Sequence, residues 1–173
     1  MGGITLGFLQ EYFPGNPVLR VMPNTPMLVR KGIAGIAANE KATKEHTDLG
    51  QEMFNLVGIS YLLPESLIDP LTSVSGCSPA FAYLFIEAMA DGGVEKGLPR
   101  SMAIQLAAQA LAGSAEMVLQ TGKHPAELKD SVCSPGGSTI VGVHTLERGN
   151  FRATVMNAIT ESCDKMIEVG RKA

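Results

Sequence analysis

The sequence is poor in aromatic residues and in charge, and each shortage excludes a class of protein. Tryptophan is absent and aromatic residues make up 5% of the chain, which argues against a β-sandwich because such sheets favour aromatic and β-branched side chains. The formal net charge is only −3, so no basic surface for nucleic acid or anionic lipid is expected. With 45% hydrophobic and 18% charged residues among 173, the composition predicts a folded protein.

Cysteines, long apolar runs and leader-like segments are also scarce. Cys77, Cys133 and Cys163 are an odd number without Cys-x-x-Cys spacing, so neither a disulfide framework nor a metal site is predicted. The chain has no unbroken apolar run of about 18 residues, which argues against a bilayer-spanning segment. Met1–Ile4 lacks the basic start of a signal peptide. We therefore expect a protein of the reducing cytoplasm, with neither membrane nor nucleic acid as a partner.

The order of the secondary-structure patterns predicts a mainly α protein that begins with an α/β segment. Helical periodicity covers 3–13 and 42–57, and short apolar runs predict strands at 18–22, 31–39 and 59–63. After Pro64 no further strand is predicted. A capping box of Ser66 with Asp69 should open a helix, and Pro79 should kink or restart it before it stops at Gly92-Gly93. Further helices are predicted at 99–122, 139–147 and 151–170.

The helix predicted near 101–120 is apolar on every face. It holds one charged residue, Glu116, and its Ala, Leu, Ile, Met and Val positions surround the axis. A helix of this kind must be buried on all sides. The helical part of one chain is too short to supply that cover. We therefore predict an intertwined homodimer built on the C-terminal helices.

Two segments are candidates for binding a ligand. The loop Ser134-Pro135-Gly136-Gly137-Ser138-Thr139 before a helix offers backbone amides, hydroxyls and a positive helix end, which suit a small carboxylate. The alternative is an ordinary helix start capped by Ser138 or Thr139. Pro23–Pro26, after a strand, is the second candidate because ligands of α/β sheets bind beyond the carboxyl ends of strands. The alternative there is a rigid turn.

Several ordered motifs, taken together, resemble the pyrroline-5-carboxylate reductases, which perform the last step of proline synthesis. The matching segments are Arg20–Pro26, Leu67–Asp69, Ser75–Phe81, Ala90–Arg100, His124-Pro125, Leu128–Asp130 and Ser134–Thr139. They span nearly the whole chain. Cys77 and Ser78 depart from the family's Ser-Gly-Ser-Gly-Pro-Ala, and Ser131 stands where asparagine is common.

The resemblance implies a fold and two domains. Residues 1–64 would be the C-terminal remnant of a Rossmann-type dinucleotide-binding domain, and residues 65–173 a helical domain for dimerisation and substrate binding. The cofactor would be NADPH or NADH, and the substrate 1-pyrroline-5-carboxylate, reduced to L-proline. The partner would be a second copy, in a homodimer or a higher oligomer.

The resemblance also implies roles for individual residues. Thr139 would be the catalytic residue, with its hydroxyl on the ring nitrogen. The substrate would be bound by Glu65, Ser131, Ser134, Gly137, Ser138 and Thr139. The nicotinamide would lie near Met22, Pro23 and Asn24.

No Gly-x-Gly-x-x-Gly occurs in the sequence, so the expectation is an N-terminally truncated reductase whose grip on the cofactor is weakened or lost. One alternative is a non-catalytic dimerisation module that retains a small-carboxylate site. Another is a β-hydroxyacid dehydrogenase, which would need a catalytic lysine. Lys96 and Lys129 are the nearest candidates for that lysine.

Overall fold

Residues 3–171 are described by the structure, a computed structural model, and they pack as two compact units. The first comprises the described residues of Met1–Pro79 and Met156–Ala173, and the second is Ala80–Val155. This division reflects packing within one chain. The domain boundary between residues 64 and 65 stays a prediction.

The first unit is built on a three-stranded sheet that confirms the three predicted strands. These are β1 (Leu19–Pro23), β2 (Gly32–Ala38) and β3 (Gly58–Leu62). β1 runs antiparallel to β2, whereas β2 and β3 are parallel. The backbones of β2 and β3 approach so closely where they start that a Cβ on Gly58 would lie 2.0 Å from the Gly32 carbonyl oxygen. Only glycine fits there.

Two helices flank these strands, as predicted. The helix α1 (Leu6–Tyr12) begins after Thr5, whose hydroxyl accepts from the Phe8 amide. The helix α2 (Lys44–Asn55) makes the crossover between the parallel strands and begins with a capping box of Thr43 and His46. Leu6 also joins Ala37 and Ile68 in the buried core of this unit.

The chain after Pro64 departs from the predicted single capped helix. A 3₁₀ turn (Glu65–Leu67) leads into α3 (Ile68–Thr72), which continues as a π-helical turn (Ser73–Cys77) before α4 starts at Ser78. The predicted capping box is wrong, because α3 has no side-chain cap and Asp69 instead pairs with Arg20. The restart predicted near Pro79 is confirmed, as a π-helical turn.

Most of the remaining helices agree with the sequence patterns. They are α4 (Ser78–Glu95), α5 (Arg100–Thr121), α6 (Pro125–Ser131), α7 (Ser138–Arg148) and α8 (Phe151–Gly170). α4 runs through the predicted stop at Gly92-Gly93, and the chain turns at Gly97, which has φ +96°. α6 was missed because seven residues are too few to show helical periodicity.

The apolar helix α5 is left largely uncovered within one chain. Of its 22 residues only Ala103 and Ala107 are buried, and they pack with Ala90. Large apolar side chains of this helix remain exposed: Met102, Ile104, Leu106, Met117 and Leu119. One chain therefore leaves this helix largely uncovered, as predicted from the sequence.

By length and composition alone, α5 also qualifies as a helix that could cross a membrane. The prediction against a spanning segment relied on the lack of an unbroken apolar run. α5 is apolar on average, although Gln105, Gln109 and Glu116 interrupt it. Because the core helix of a soluble protein meets the same criterion, the finding is weak evidence for a bilayer.

A buried arginine ties the strands to the start of the α3 segment. The side chain of Arg20, on β1, is 7% exposed and donates to Glu65 Oε1 at 3.0 Å and to Asp69 Oδ1 at 3.3 Å. Glu65 Oε1 also accepts from the Leu6 amide at 2.6 Å. The network thus joins β1, the start of α1 and the segment before α3, while Arg20 Nε is buried without a partner among the described residues.

Replacing Arg20 should destabilise the first unit. Arg20→Met would leave two partly buried carboxylates without their cation, and we expect the free energy of unfolding to fall by about 2–3 kcal/mol, since partial solvent access softens the penalty for a fully buried pair. The measurement is urea unfolding. Arg152→Met, which breaks the exposed pair with Glu147, should cost about 1 kcal/mol or less. Equal losses of unfolding free energy in the two variants would contradict the structural role assigned to Arg20.

Candidate functional site

The loop before α7 is a tight turn set by proline and glycine. The Gly137 amide donates to the Ser134 carbonyl at 3.0 Å, and Gly136 has φ +70°. With Pro135 at the second position and glycine at the third, this is the pattern of a type II turn. The turn therefore delivers the chain to the start of α7 in a fixed direction.

The residues that follow the turn present free donors at a helix start. Ser138 and Thr139 occupy the first turn of α7, both exposed, where backbone amides have no partner within the helix. The residue before the helix is Gly137, and no side chain caps it. The alternative that Ser138 or Thr139 caps α7 is therefore not what the structure shows. Two amides, a helix dipole and two hydroxyls are left to face an anion.

Three other predicted substrate residues are engaged in local hydrogen bonds. The Gly137 amide closes the turn described above. The Ser131 hydroxyl donates to the Leu128 carbonyl within α6. The Ser134 side chain is exposed and lies so near Gly137 that a Cβ there would be 2.4 Å from its hydroxyl oxygen. Their contacts with a substrate stay predictions.

Glu65, also predicted to bind substrate, is committed to the Arg20 network in this chain. One of its oxygens accepts from both Arg20 and the Leu6 amide, and its side chain is 32% exposed. The structure thus shows a structural role for Glu65, while its contact with substrate stays a prediction.

The end of β1 carries the three residues predicted to lie near the nicotinamide. Met22 is half-buried against the core, and Pro23 is exposed. The Asn24 side chain bonds to backbone on both sides, accepting from the Ile33 amide at 2.8 Å and donating to the Ser75 carbonyl at 2.9 Å. Because β1 is antiparallel to β2, its carboxyl end lies beside the start of β2. The strand-end rule for parallel sheets therefore does not by itself mark this edge.

The predicted site residues divide between the two units. Met22, Pro23, Asn24 and Glu65 belong to the first, and the residues from Ser131 to Thr139 belong to the second. Within the first unit the structure places Asn24 next to the π-helical turn through Ser75. Sequence reasoning missed Arg20 as the partner of Glu65, although a lone arginine in a short apolar strand signals a buried cation in need of carboxylates.

Two histidines, and the two lysines considered for a dehydrogenase, have local structural partners. His46 Nδ1 accepts from the Thr43 amide, and His124 Nδ1 accepts from the Ala126 amide at the start of α6. The lysines considered for a dehydrogenase pair with sequence neighbours: Lys96 with Glu95, and Lys129 with Asp130. Within residues 3–171, no group of three or more His, Cys, Asp or Glu side chains is placed to hold a metal ion.

Comparisons with known proteins agree on one family. Residues 65–169 match the family described as "Pyrroline-5-carboxylate reductase dimerisation". Pyrroline-5-carboxylate reductase of Glycine max is 44% identical over 167 residues, which are 96% of this chain and 61% of that protein. The Arabidopsis thaliana enzyme of the same name is 46% identical, again over 61% of its length. The chain thus spans about 61% of these curated relatives.

A solved structure shares the fold. Pyrroline carboxylate reductase of Plasmodium falciparum, solved with NADP bound, superposes with a TM-score of 0.91 at 39% identity, covering 98% of this chain and 68% of that one. The pyrroline-5-carboxylate reductase of Coxiella burnetii superposes with a TM-score of 0.91 at 31% identity. The predicted fold class, a helical dimerisation domain preceded by a Rossmann-type remnant, is confirmed.

The turn before α7 should depend on a glycine at position 136. Gly136→Ala forces an L-residue into the left-handed region, and we expect the free energy of unfolding to fall by about 1–2 kcal/mol. Gly142→Ala, inside α7 where a Cβ meets open space, should be neutral or stabilising by up to about 1 kcal/mol. Urea unfolding of both variants provides the measurement. An unchanged free energy of unfolding in Gly136→Ala would contradict the turn geometry.

Proposed function

Because this chain belongs to the pyrroline-5-carboxylate reductase family, we propose that it serves the reduction of 1-pyrroline-5-carboxylate to L-proline. The observation that carries the proposal is the turn at Ser134–Gly137, which presents Ser138 and Thr139 at the start of α7. A cyclic imine is already electrophilic. The protein therefore has mainly to bind and align it.

The loop before α7 is proposed to bind the substrate carboxylate. The amides of Ser138 and Thr139 would donate to the carboxylate oxygens, helped by the positive end of the helix dipole. The Gly137 amide would divide its hydrogen bond between the Ser134 carbonyl and the carboxylate. The Thr139 hydroxyl would donate to the ring nitrogen. This arrangement holds the ring by donors on one short segment, so the imine carbon can be presented to a hydride donor.

NADPH or NADH is proposed as the hydride donor, since a solved relative holds NADP. The residues of this chain fit only one end of such a cofactor. Met22 and the exposed Pro23 offer an apolar edge to a flat ring, and the polar groups of Asn24 are already bonded to backbone. A glycine-rich pyrophosphate loop is not found in this sequence, so we expect this stretch of chain to contribute little to cofactor affinity.

A second copy of the chain is proposed to cover α5. The exposed apolar residues of this helix continue into an open groove of about 730 Å³ beside α4, whose lining includes Tyr83, Leu84 and Ile104. The match of residues 65–169 to a dimerisation family supports this occupant. A homodimer satisfies the burial requirement that the single chain leaves open. The chain is further proposed to act in the cytoplasm, where its three free thiols would stay reduced.

A non-catalytic dimerisation module that retains a small-carboxylate site is the second candidate. It is favoured by Glu65 and Asn24, whose side chains already have protein partners. L-Proline should raise the melting temperature in either case. Turnover of the imine with NADPH is expected only of the reductase.

Thr139 is the residue on which the reductase proposal can be tested. Thr139→Val keeps the shape but removes the proposed donor to the ring nitrogen, and we expect kcat/KM to fall by about 5- to 150-fold, or about 1–3 kcal/mol. Thr145→Val, which removes a hydroxyl bonded only within α7, is the control and should leave kcat/KM nearly unchanged. Steady-state kinetics with NADPH give the measurement, in a full-length version that carries the glycine-rich pyrophosphate loop. Unchanged kcat/KM in Thr139→Val would refute its role.

The oligomeric state tests the proposed cover of α5. Light scattering at micromolar concentration should give at least twice the chain mass of 18.3 kDa. Leu106→Glu, at a position 53% exposed in one chain, should shift the mass to that of a monomer, because an unpaired charge in an apolar interface is costly. Leu49→Glu adds the same charge at a comparably exposed apolar position of α2, outside the residues that match the dimerisation family, and should leave the dimer intact. A well-folded wild-type monomer would exclude the proposal.

A further inference from the structure

The side chain of Asn24 connects two backbone segments that are far apart in the sequence. Its oxygen accepts from the Ile33 amide at the start of β2, and its nitrogen donates to the Ser75 carbonyl in the π-helical turn. Asn24 itself follows directly on β1. All of these residues lie in the first unit. One carboxamide therefore holds together the end of β1, the start of β2 and the Ser73–Cys77 turn.

A proline removes the α-helical donor of the Ser75 carbonyl. Ser75 lies where the chain returns from π-helical to α-helical bonding. In the α-helical pattern its carbonyl would accept from the amide four residues later, and that residue is Pro79, which has no N–H; the π-helical pattern would use Ala80, five residues later. A buried carbonyl left without a donor is costly. The Asn24 carboxamide replaces the missing helical donor.

Side chains also satisfy the neighbouring carbonyls of this stretch, but from within the helix itself. The Ser75 hydroxyl donates to the Leu71 carbonyl, and the Ser78 hydroxyl donates to the Val74 carbonyl. Such local bonds move with the helix and do not anchor it to anything else. The bond from Asn24 differs in that it fixes the π-helical turn to the sheet.

We infer that Asn24 is a positioning residue that fixes the Ser73–Cys77 turn to the end of β1 by replacing the helical donor that Pro79 lacks. The inference deepens the proposed function and, for its catalytic consequence, rests on it. Pro23, which that function places beside the nicotinamide, immediately precedes Asn24. A shift of this anchor would displace Pro23 relative to the turn. Asn24 would thus act through backbone geometry without needing to touch the cofactor.

An aspartate at position 24 separates the two halves of this clamp. Asn24→Asp keeps an oxygen for the Ile33 amide but puts a second oxygen against the Ser75 carbonyl, where a donor is required. The π-helical turn should then open more often. Cys77, the half-buried last residue of the turn, reports such opening through its rate of reaction with a thiol reagent.

The first measurement is the labelling rate of each cysteine by mass spectrometry. Asn24→Asp should speed labelling of Cys77 about tenfold, the effect of losing one buried hydrogen bond, and leave Cys163 in the same unit within about twofold. No acceleration at Cys77 would overturn the inference.

Asn39→Asp is the matched control. Asn39 is buried in the same unit and clamps backbone in the same way, accepting from the Val18 amide and donating to the Asn16 carbonyl. Its hydrogen bonds join Val18, Asn16 and Ala42, all outside the π-helical turn. We expect Cys77 labelling to stay close to the wild-type rate in this variant. Equal acceleration in both variants would mean that Asn24 only stabilises the unit, and would also overturn the inference.

A substitution at Pro79 tests whether its missing N–H is the reason that the Ser75 carbonyl depends on Asn24. It also keeps the inference testable if Asn24→Asp alone does not fold. Pro79→Ala supplies an amide at the position where the helix needs one. In the double variant with Asn24→Asp, Cys77 labelling should therefore return most of the way to the Pro79→Ala rate, a non-additive result. Strictly additive effects would show that the Ser75 carbonyl does not depend on the missing proline N–H, and would contradict the inference.

Kinetics test the catalytic consequence separately. Asn24→Asp should lower kcat by about tenfold and raise the KM for reduced cofactor, while the KM for the imine stays unchanged; Asn39→Asp should keep the wild-type kcat. A normal kcat with accelerated Cys77 labelling would refute the positioning role. These kinetics are measured on a full-length version that carries the glycine-rich pyrophosphate loop. If that version shows no turnover without substitutions, the proposed function fails, whereas the labelling rates still decide whether Asn24 holds the turn.

Discussion

The ion pairs of Arg20 are the interaction on which the first unit depends. A guanidinium buried in an apolar strand must be matched by carboxylates, and here Glu65 and Asp69 supply them from the segment where strands give way to helices. Glu65 also accepts a hydrogen bond from the Leu6 amide at the start of α1. The network is costly to bury, so its contribution is mainly to fix which segments meet. The same strand continues to Met22 and Pro23, and their placement follows from that of Arg20.

A different constraint governs the second unit, namely the amount of apolar surface that helices of this length can cover. α5 places alanines against α4 at Ala103 and Ala107 and leaves larger side chains such as Leu106 and Leu119 outside. Small residues thus make the contact within the chain, and large ones face outward. This distribution is the reverse of that in a self-sufficient bundle and suits an interior shared between subunits.

Hydrophobic periodicity and the positions of proline and glycine predicted most of the fold, because the patterns of long helices and apolar strands are set by residues close in sequence. All three strands, the all-round apolar α5 and its stop at Gly122 follow from residues close in sequence. What could not be predicted depends on distant partners or on short segments. Asp69 fits a capping box in sequence, yet the unmatched charge of Arg20 claims it. Strand direction, the π-helical turn and α6 likewise have no distinct local pattern. For the candidate site, the turn at Gly136 was readable from Pro-Gly-Gly, whereas the partners of Glu65 and Asn24 were not.

The missing amide of Pro79 has a consequence for how this chain can change over evolutionary time. Asparagine at one position compensates for an imino acid at another, far along the sequence, so Asn24 cannot be exchanged freely while Pro79 is kept. A lineage that replaced Pro79 would release position 24 from the need for a carboxamide, and drift there would follow. The two positions are therefore expected to co-vary, a pairing that a sequence alignment would reveal without reference to any ligand.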